Sequence, residues 1–390
     1  MTNVDATFRR PLRLLILVDK FDYHGSFING PARYFSWVAE RLDPARVDAT
    51  VCTLRGRGQS DRIFKECGID VQYLDCGKYD PFALFRIVSL IRSKQIDVLH
   101  LTGYGAMTFG RIAAAITGRP AILQEHWVDP QMGIAHRILN KLMAPLPAIP
   151  VAISEYSKRF LVAQKSIPED EIVVIHNGIP LGPFHGADAA SGLAKRREFG
   201  FAPESVVVGV VGMLHENKGH AYFIEAAAIV AEKNPAVKFV VIGDGELRQT
   251  LDAQAQRLQL GEKLAFLGHQ GEMPALLQML DIYVMSSFSE TAPLSLLEAM
   301  AAGRPIVTTD CGGPMEMVVE GETARVVPPR DAAALASRIL ELANDPSERA
   351  RLGANARRES RRFDIENTVE MLQQLYEKQR PHDPRTDTEA

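Results

Sequence analysis

The chain has 390 residues, which exceeds one ordinary hydrophobic core and is typical of two domains. Its composition, 46 % hydrophobic and 24 % charged residues, is that of a globular protein. No apolar run approaches the roughly 18 residues that a membrane-spanning helix needs. The net charge of −4 and the lack of a basic aromatic platform argue against nucleic-acid binding.

Charge is distributed unevenly along the chain. Residues 1–185 carry 22 Lys and Arg against 18 Asp and Glu, a balance of +4, whereas residues 186–390 carry 22 against 30, a balance of −8. The excess of basic residues in the first half would suit binding to an anionic surface or substrate. Alternatively, it reflects a random distribution of solvated charged side chains. The four cysteines show no metal-binding spacing, so we interpret them as core thiols of a cytoplasmic protein and expect no metal.

Short apolar runs alternate with longer amphipathic stretches in the first half. This alternation predicts repeated βα units, and hence a parallel sheet with helices on both faces. The predicted strands cover residues 12–18, 47–54, 96–101, 120–125, 149–154 and 171–177.

The alternation breaks at residues 178–190, where Gly, Pro and Ala predict a linker, and then resumes. The predicted strands of the second half cover residues 205–212, 237–245, 263–268, 281–287 and 304–310. We therefore expect two doubly wound α/β domains, 1–185 and 186–363. Ligands bind beyond the carboxyl ends of such strands, so a cleft between the domains would hold the substrate.

The segment SSFSETAPLSLLEAMAAGRPIV, residues 286–307, carries Glu290 and Glu298 in an otherwise small and apolar context. A buried carboxylate is costly without a partner, and carboxylates accept hydrogen bonds well from the vicinal hydroxyls of sugars. The alternatives are an exposed helix position for Glu298 and a loop cap or solvated acid for Glu290.

A helix start is predicted between these two acids. Thr291 is a candidate N-cap and Pro293 suits the first turn. The free amides would form an anion site, for which phosphate is the common occupant. These amides belong to Leu294, Ser295 and Leu296. A diphosphate beside hydroxyl-binding acids indicates a nucleotide sugar.

Other candidates follow the remaining strands. Lys218 opens a helix after Gly212 and can reach a phosphate, or it is an ordinary solvated lysine. Gly25 and Gly30 allow close backbone approach to a phosphate, or they form a tight loop without a ligand. His126 follows a strand and can bond a sugar hydroxyl or stabilise developing charge, or it is structural.

These motifs together resemble the retaining glycosyltransferases of family 4. The resemblance lies in the seven-residue gap between Glu290 and Glu298, in the run LSLLEAMAAGRPIV, and in the motifs NKG, VIHNGI, GDG and CGGPMEMV. It extends from residue 12 to about residue 378 and is more specific in the second half. It implies the GT-B fold, two Rossmann-like domains facing a central cleft, with a last helix at about 364–379 that packs back on the first domain.

The resemblance also implies roles for individual residues. Glu298 would bind the ribose, Glu290 and His126 the donor sugar, and Lys218 and Gly30 the diphosphate. Glu316 matches a family acid near the cleft. The nucleotide-binding set would further include Gly212, Met213, Gly243 and His269.

The chain departs from the family at two places. Met213 replaces an arginine that contacts the diphosphate, and a thioether cannot donate a hydrogen bond. The usual glycine-rich loop after Glu290 is Thr291–Ala292–Pro293, which adds bulk near the donor sugar.

We therefore expect a retaining glycosyltransferase that uses a UDP-sugar in preference to a GDP-sugar, with no metal or other cofactor, because the chain contains no D-x-D. The acceptor would be a glycan, a lipid-linked molecule or a small molecule. A non-catalytic nucleotide-sugar binder and a nucleotide-sugar 2-epimerase are the alternatives. Residues 131–146 form a basic, apolar-faced helix pattern that either packs on the sheet or contacts the inner face of a membrane.

Overall fold

The computed structural model describes residues 10–23, 27–28, 30–77, 80–126 and 133–381. These residues form two compact units. The first runs to Asn177 and resumes at Ile365, and the second comprises Gly178–Asp364. The predicted Gly25 lies outside the described residues.

The first unit is built on a seven-stranded parallel sheet, in the order β5-β4-β1-β6-β7-β8-β9. Its strands are β1 Leu12–Val18, β4 Val47–Thr53, β5 Val71–Tyr73, β6 Val98–Thr102, β7 Ala121–Glu125, β8 Ile149–Ala152 and β9 Val173–Val174. A two-stranded antiparallel pair, β2 Asp22–Tyr23 and β3 Phe27–Ile28, follows β1. The central strands β1 and β6 are almost continuously apolar because helices cover both faces of the sheet.

Among the described residues, the first unit contains seven helices. They are α1 Gly30–Arg41, α2 Asp61–Glu66, α3 Phe82–Ser93, α4 Tyr104–Thr117, α5 Ile134–Met143, α6 Glu155–Lys165 and α15 Ile365–Lys378. The chain first adds strands on one side of β1, up to β5 at the edge, and then adds β6 to β9 on the other side. Because the crossovers are right-handed, this reversal places α1 and α2 on one face of the sheet and α3 to α6 on the other.

The last helix, α15, packs beside α1 in this unit. The Tyr376 hydroxyl lies 2.7 Å from Nδ1 of the buried His100, and the amide of Asp43 donates to Oε1 of Gln373 at 2.6 Å. Glu370 and Glu377 of α15 also form ion pairs with Arg46. The buried His100 therefore links the sheet to α15.

The second unit has a six-stranded parallel sheet, in the order β12-β11-β10-β13-β14-β15. Its strands are β10 Val206–Val211, β11 Val237–Ile242, β12 Leu264–Gly268, β13 Ile282–Met285, β14 Ile306–Thr309 and β15 Ala324–Val327. Its helices are α7 Leu181–Gly186, α8 Ala189–Glu198, α9 His220–Lys233, α10 Arg248–Arg257, α11 Met273–Met279, α12 Leu294–Ala301, α13 Ala332–Asn344 and α14 Pro346–Glu359. The two parallel sheets confirm the predicted pair of Rossmann-like domains.

The predicted linker at 178–190 is wrong. The amide of Ile179 donates to the carbonyl of Phe363 at 3.0 Å, and α7 and α8 occupy most of the remaining stretch. Glycine and proline here shape helix ends instead of a flexible connection. The boundary consequently falls after Asn177 instead of residue 185, and α15 begins at Ile365. Within the described part of the chain, no helix combines the length and apolar character required to cross a bilayer.

Candidate active site

The centre of the candidate site is an ion pair between the loops that follow β10 and β13. Nζ of Lys218 lies 2.6 Å from Oε1 of Glu290, and the Ser287 hydroxyl donates to the same oxygen at 2.8 Å. The two charged side chains are 25 % and 10 % exposed, so the pair is largely shielded from solvent. The structure thus brings together the predicted phosphate-binding cation and the predicted sugar-binding acid.

Backbone contacts fix these two loops against each other. The Ser286 hydroxyl donates to the carbonyl of Lys218 at 3.0 Å, and the amide of Phe288 donates to the carbonyl of Asn217 at 2.7 Å. Gly219 adopts a φ of +63°, and a Cβ there would lie 2.0 Å from the carbonyl oxygen of Ser286. Glycine is therefore required directly after Lys218 for the loops to meet.

The loop that carries Glu290 is also held from its other side. The amide of Glu290 donates to the carbonyl of Cys311 at 3.0 Å, and the amide of Gly313 donates to the carbonyl of Glu290 at 2.9 Å. A Cβ on Gly313 would lie 1.8 Å from the carbonyl oxygen of Thr291. This contact places the short helical turn that ends at the half-buried Glu316 next to the Glu290 loop.

Helix α12 begins two residues later than the predicted N-cap at Thr291 implies. Pro293 occupies the N-cap, and no side chain caps the helix, so Thr291 is not the cap. The amide of Leu296 donates to the carbonyl of Pro293 at 3.2 Å. The amides of Leu294 and Ser295 donate to no acceptor in the described part of the chain. Two of the three predicted amides therefore remain available to an anion.

Glu298 lies in the second turn of α12 and is 1 % exposed, which excludes an ordinary surface position. Beside it, the buried Tyr283 hydroxyl donates to Oγ of Ser295 at 3.0 Å. Burial raises the pKa of Tyr283, and the negative charges of Glu290 and Glu298 raise it further. Both carboxylates therefore lie near the same buried phenol.

The ends of β10, β11 and β12 form the adjoining part of this edge. The amide of Gly212 donates to the carbonyl of Ile242 at 3.0 Å, and the amide of Gly243 donates to the carbonyl of Gly268 at 2.8 Å. Gly243 has a φ of +137°, and a Cβ there would lie 1.9 Å from the carbonyl oxygen of Gly212. Met213 is half-buried and His269 is exposed at the same edge.

The other two predicted residues belong to the first unit. His126 follows β7, and its ring packs against Tyr34 and Phe35 at centroid distances of 4.8 and 5.4 Å. Burial lowers the pKa of His126 to about 3, so the ring is neutral at neutral pH and suits hydrogen bonding, not charge stabilisation. Its Nε2 atom has no hydrogen-bond partner among the described residues. Gly30 is exposed and opens α1.

Sequence reasoning missed several residues that organise the site. Ser286 and Ser287 could have been recognised in the sequence, because they are two hydroxyl residues that follow a buried apolar strand. No sequence pattern indicates a role for Arg330. It follows β15 with a φ of 62°, and its guanidinium lies 4.7 Å from the ring centroid of Phe288. Arg330 therefore adds a second cation at this edge of the sheet.

The chain matches two protein-family models. Residues 28–182 match the model described as Glycosyltransferase Family 4, and residues 193–359 match the model described as Glycosyl transferases group 1. The matches fall on different halves of the chain and together cover most of it.

Individual relatives agree with these matches. EpsD of Bacillus subtilis, named as a glycosyltransferase, is 32 % identical over 46 % of this chain and 48 % of its own length. The UDP-Gal:alpha-D-GlcNAc-diphosphoundecaprenol alpha-1,3-galactosyltransferase of Escherichia coli is 28 % identical over 60 % of this chain and 63 % of its own length. The chain thus spans less than two thirds of these two relatives.

The fold is also found in solved structures. Anabaena HepE, crystallised in complex with UDP and glucose, superposes with a TM-score of 0.84 at 22 % identity, covering 94 % of this chain and 100 % of HepE. Such a superposition shows the fold. The family matches and this shared architecture lead to one conclusion: the chain belongs to the GT4-type glycosyltransferases and has the GT-B fold.

Proposed function

We propose that this protein is an enzyme that transfers a sugar from a UDP-sugar with retention of the anomeric configuration. The observation that carries the proposal is the arrangement around α12, where Lys218 and Glu290 are paired in front of the helix start and Glu298 is buried within its second turn. A cation, two free amides and two carboxylates match a diphosphate flanked by two hydroxyl-bearing sugars. The names of the galactosyltransferase and of the HepE complex favour UDP as the nucleotide.

Donor binding would exchange the partners in this site. The diphosphate would take the Lys218 ammonium together with the amides of Leu294 and Ser295. Glu290 would then accept hydrogen bonds from the transferred sugar, still supported by the Ser287 hydroxyl. Glu298 would accept those of the ribose. This exchange replaces an internal ion pair with one to the donor, so little charge is left without a partner.

In the reaction, the bond between the anomeric carbon and the phosphate oxygen breaks, and a bond to the acceptor oxygen forms on the same face. The acceptor proton passes to the departing phosphate oxygen, and UDP is released. Lys218 and the α12 amides would stabilise the negative charge that develops on the leaving diphosphate. The competing route uses Glu290 as a nucleophile, which would form a covalent glycosyl-enzyme.

We further propose that transfer requires no metal ion. The support is the pair of local positive groups, Lys218 and the α12 start, together with the lack of a D-x-D in the sequence. Arg330 offers an additional positive charge nearby. The expected result is that EDTA leaves the transfer rate unchanged.

A lipid-linked acceptor is the acceptor class that we propose. The support is the E. coli relative, whose name specifies a diphosphoundecaprenol-linked substrate. A cytoplasmic location, with the protein at the inner membrane face, would accompany such an acceptor.

A panel of UDP-, GDP- and ADP-sugars, tested by thermal shift and then by turnover, examines the proposal. A UDP-sugar should stabilise the protein most, and UDP should appear only when a lipid-linked acceptor is added. NMR of the product should show the donor's anomeric configuration. An inverted product, or stabilisation by another nucleotide class, would reject the proposal. Conversion of the sugar without an acceptor would indicate the epimerase.

A further inference from the structure

Exposed apolar side chains are concentrated on one part of the first unit. Among the described residues, ten large hydrophobic side chains are exposed, and six of them lie on α3, α4 and α5. These six are Phe82, Phe85, Tyr104, Ile116, Ile138 and Leu142. Phe82 and Phe85 are the most prominent pair, at 63 % and 71 % exposed, with ring centroids 6.4 Å apart.

These three helices form one continuous surface. Right-handed crossovers place α3, α4 and α5 on the same face of the seven-stranded sheet. Helix α3 packs against α4. Arg111 of α4 donates to the carbonyls of Met143 and Leu146, at the end of α5, at 2.8 and 2.9 Å. We name this surface, formed by α3, α4 and α5, the basic-apolar face.

The charge of this face is one-sided. The three helices contain five basic residues and no Asp or Glu. Arg86, Arg92 and Lys141 are exposed, whereas Arg111 is half-buried between α4 and the end of α5. Helices α1, α2 and α15, elsewhere on the same unit, contain five basic and six acidic residues. Helices that present apolar side chains and cations but no carboxylates complement an anionic lipid bilayer, since the cations attract lipid head groups while the aromatic rings enter the interface.

We propose that the basic-apolar face binds the surface of an anionic membrane. Phe82 and Tyr104 are the first residues of α3 and α4, so these side chains lie near the carboxyl edge of the sheet, where α/β folds bind ligands. Membrane contact there would bring a lipid-linked acceptor to that edge. This last consequence rests on the proposed function, whereas the membrane contact itself does not.

Vesicle co-sedimentation tests the proposal with the full-length protein. The probes are vesicles of phosphatidylcholine alone and vesicles that also contain phosphatidylglycerol. The protein should sediment with the anionic vesicles, and added salt should weaken the binding. Replacing both phenylalanines, F82S/F85S, should lower the partition coefficient by about tenfold or more, because two apolar rings no longer enter the interface.

Matched variants separate membrane binding by this face from general effects of the substitutions on the protein. Leu193 and Val319 of the second unit are 40 % and 49 % exposed, and L193S/V319S should bind vesicles like the wild type. R92E/K141E should lose the preference for anionic vesicles. F82S/F85S should bind UDP-sugar normally, which distinguishes failure of this proposal from failure of the proposed function.

Three results would overturn the proposal. The first is wild-type protein that binds neither type of vesicle. The second is F82S/F85S protein that binds vesicles as the wild type does. The third is a wild-type dimer, measured by light scattering, that F82S/F85S converts to a monomer in the absence of vesicle binding, since the face would then join two copies of this chain.

Discussion

Nζ of Lys218 lies 2.6 Å from Oε1 of Glu290, so the cation expected to bind the donor diphosphate is paired with the acid expected to bind the donor sugar. The two residues are 72 positions apart in the sequence. Neither group can bind the donor in the proposed way without releasing the other. The behaviour of variants at either position follows from this exchange.

Glu290→Ala should separate nucleotide binding from sugar transfer. The substitution frees Lys218, so UDP should bind at least as tightly as it does to the wild type. The transfer rate should fall by about 10²-fold or more, because the sugar loses a carboxylate partner. Calorimetry with UDP and a transfer assay measure the two effects. Glu232→Ala, on the exposed side of α9, is the control and should change neither. Loss of UDP binding in Glu290→Ala would contradict the exchange.

Met213→Arg should strengthen diphosphate binding. Met213 is half-buried at the carboxyl edge beside Gly212, and a guanidinium there would add a charge-assisted hydrogen bond worth about 1.5–3 kcal/mol. UDP affinity should therefore increase by about tenfold or more. Met213→Leu retains the shape without the charge and should bind UDP as the wild type does. Equal UDP affinity in the arginine and leucine variants would show that this position does not face the diphosphate.

Gly219→Ala should destabilise the second unit more than Gly261→Ala does. Both Gly219 and Gly261 have left-handed backbones, with φ of +63° and +46°. A Cβ on Gly219 would lie 2.0 Å from the carbonyl oxygen of Ser286, whereas nothing lies within 4 Å of a Cβ on Gly261. Gly261→Ala should cost about 1 kcal/mol from backbone strain alone. Gly219→Ala should cost clearly more and should weaken UDP binding. Urea unfolding compares the two, and equal losses would argue against the tight contact between the loops.

Three buried histidines should make stability depend on pH. Burial lowers the pKa of His100, His126 and His220 from 6.5 to about 3. Between these values the unfolded chain binds protons that the folded chain does not, so the free energy of unfolding should fall as the pH drops below about 6.5. Each histidine can contribute up to about 1.4 kcal/mol per pH unit in that range.

Urea unfolding from pH 8 to pH 5 measures this dependence. His220→Gln should flatten the slope below pH 6.5 and leave the slope above pH 7 unchanged, since the wild-type ring is neutral there in both states. An unchanged slope below pH 6.5 in this variant would show that His220 is accessible to protons in the folded protein.

Much of the fold was predictable because buried parallel strands are continuous apolar runs. The run VVVGVV of β10 is an example, since helices cover both faces and no alternation is needed. The short strands β5 and β15 were not predicted, because Gln72 and Arg325 interrupt their apolar runs VQY and ARVV. The linker prediction at 178–190 was wrong because Gly and Pro also mark helix ends, which sequence cannot distinguish from a connection.

The site was predictable only in part. The spacing of Glu290 and Glu298 and the position of Lys218 after a strand were visible locally. Their pairing depends on strand order, which places β10 beside β13 although β11 and β12 lie between them in the sequence. The support from Ser287 follows from loop geometry. Arg330 lies near Phe288 only through folding, so no local pattern indicated it.

The central claim is that Glu298 binds the ribose of a nucleotide sugar, and a ligand comparison tests it most directly. Calorimetry would measure UDP and 2′,3′-dideoxy-UDP binding to the wild type and to Glu298→Gln, which preserves the side-chain shape within α12. The wild type should prefer UDP by about tenfold or more, and Glu298→Gln should bind both ligands with similar, weaker affinity. An undiminished preference for UDP in Glu298→Gln would contradict the assignment of this carboxylate to the ribose.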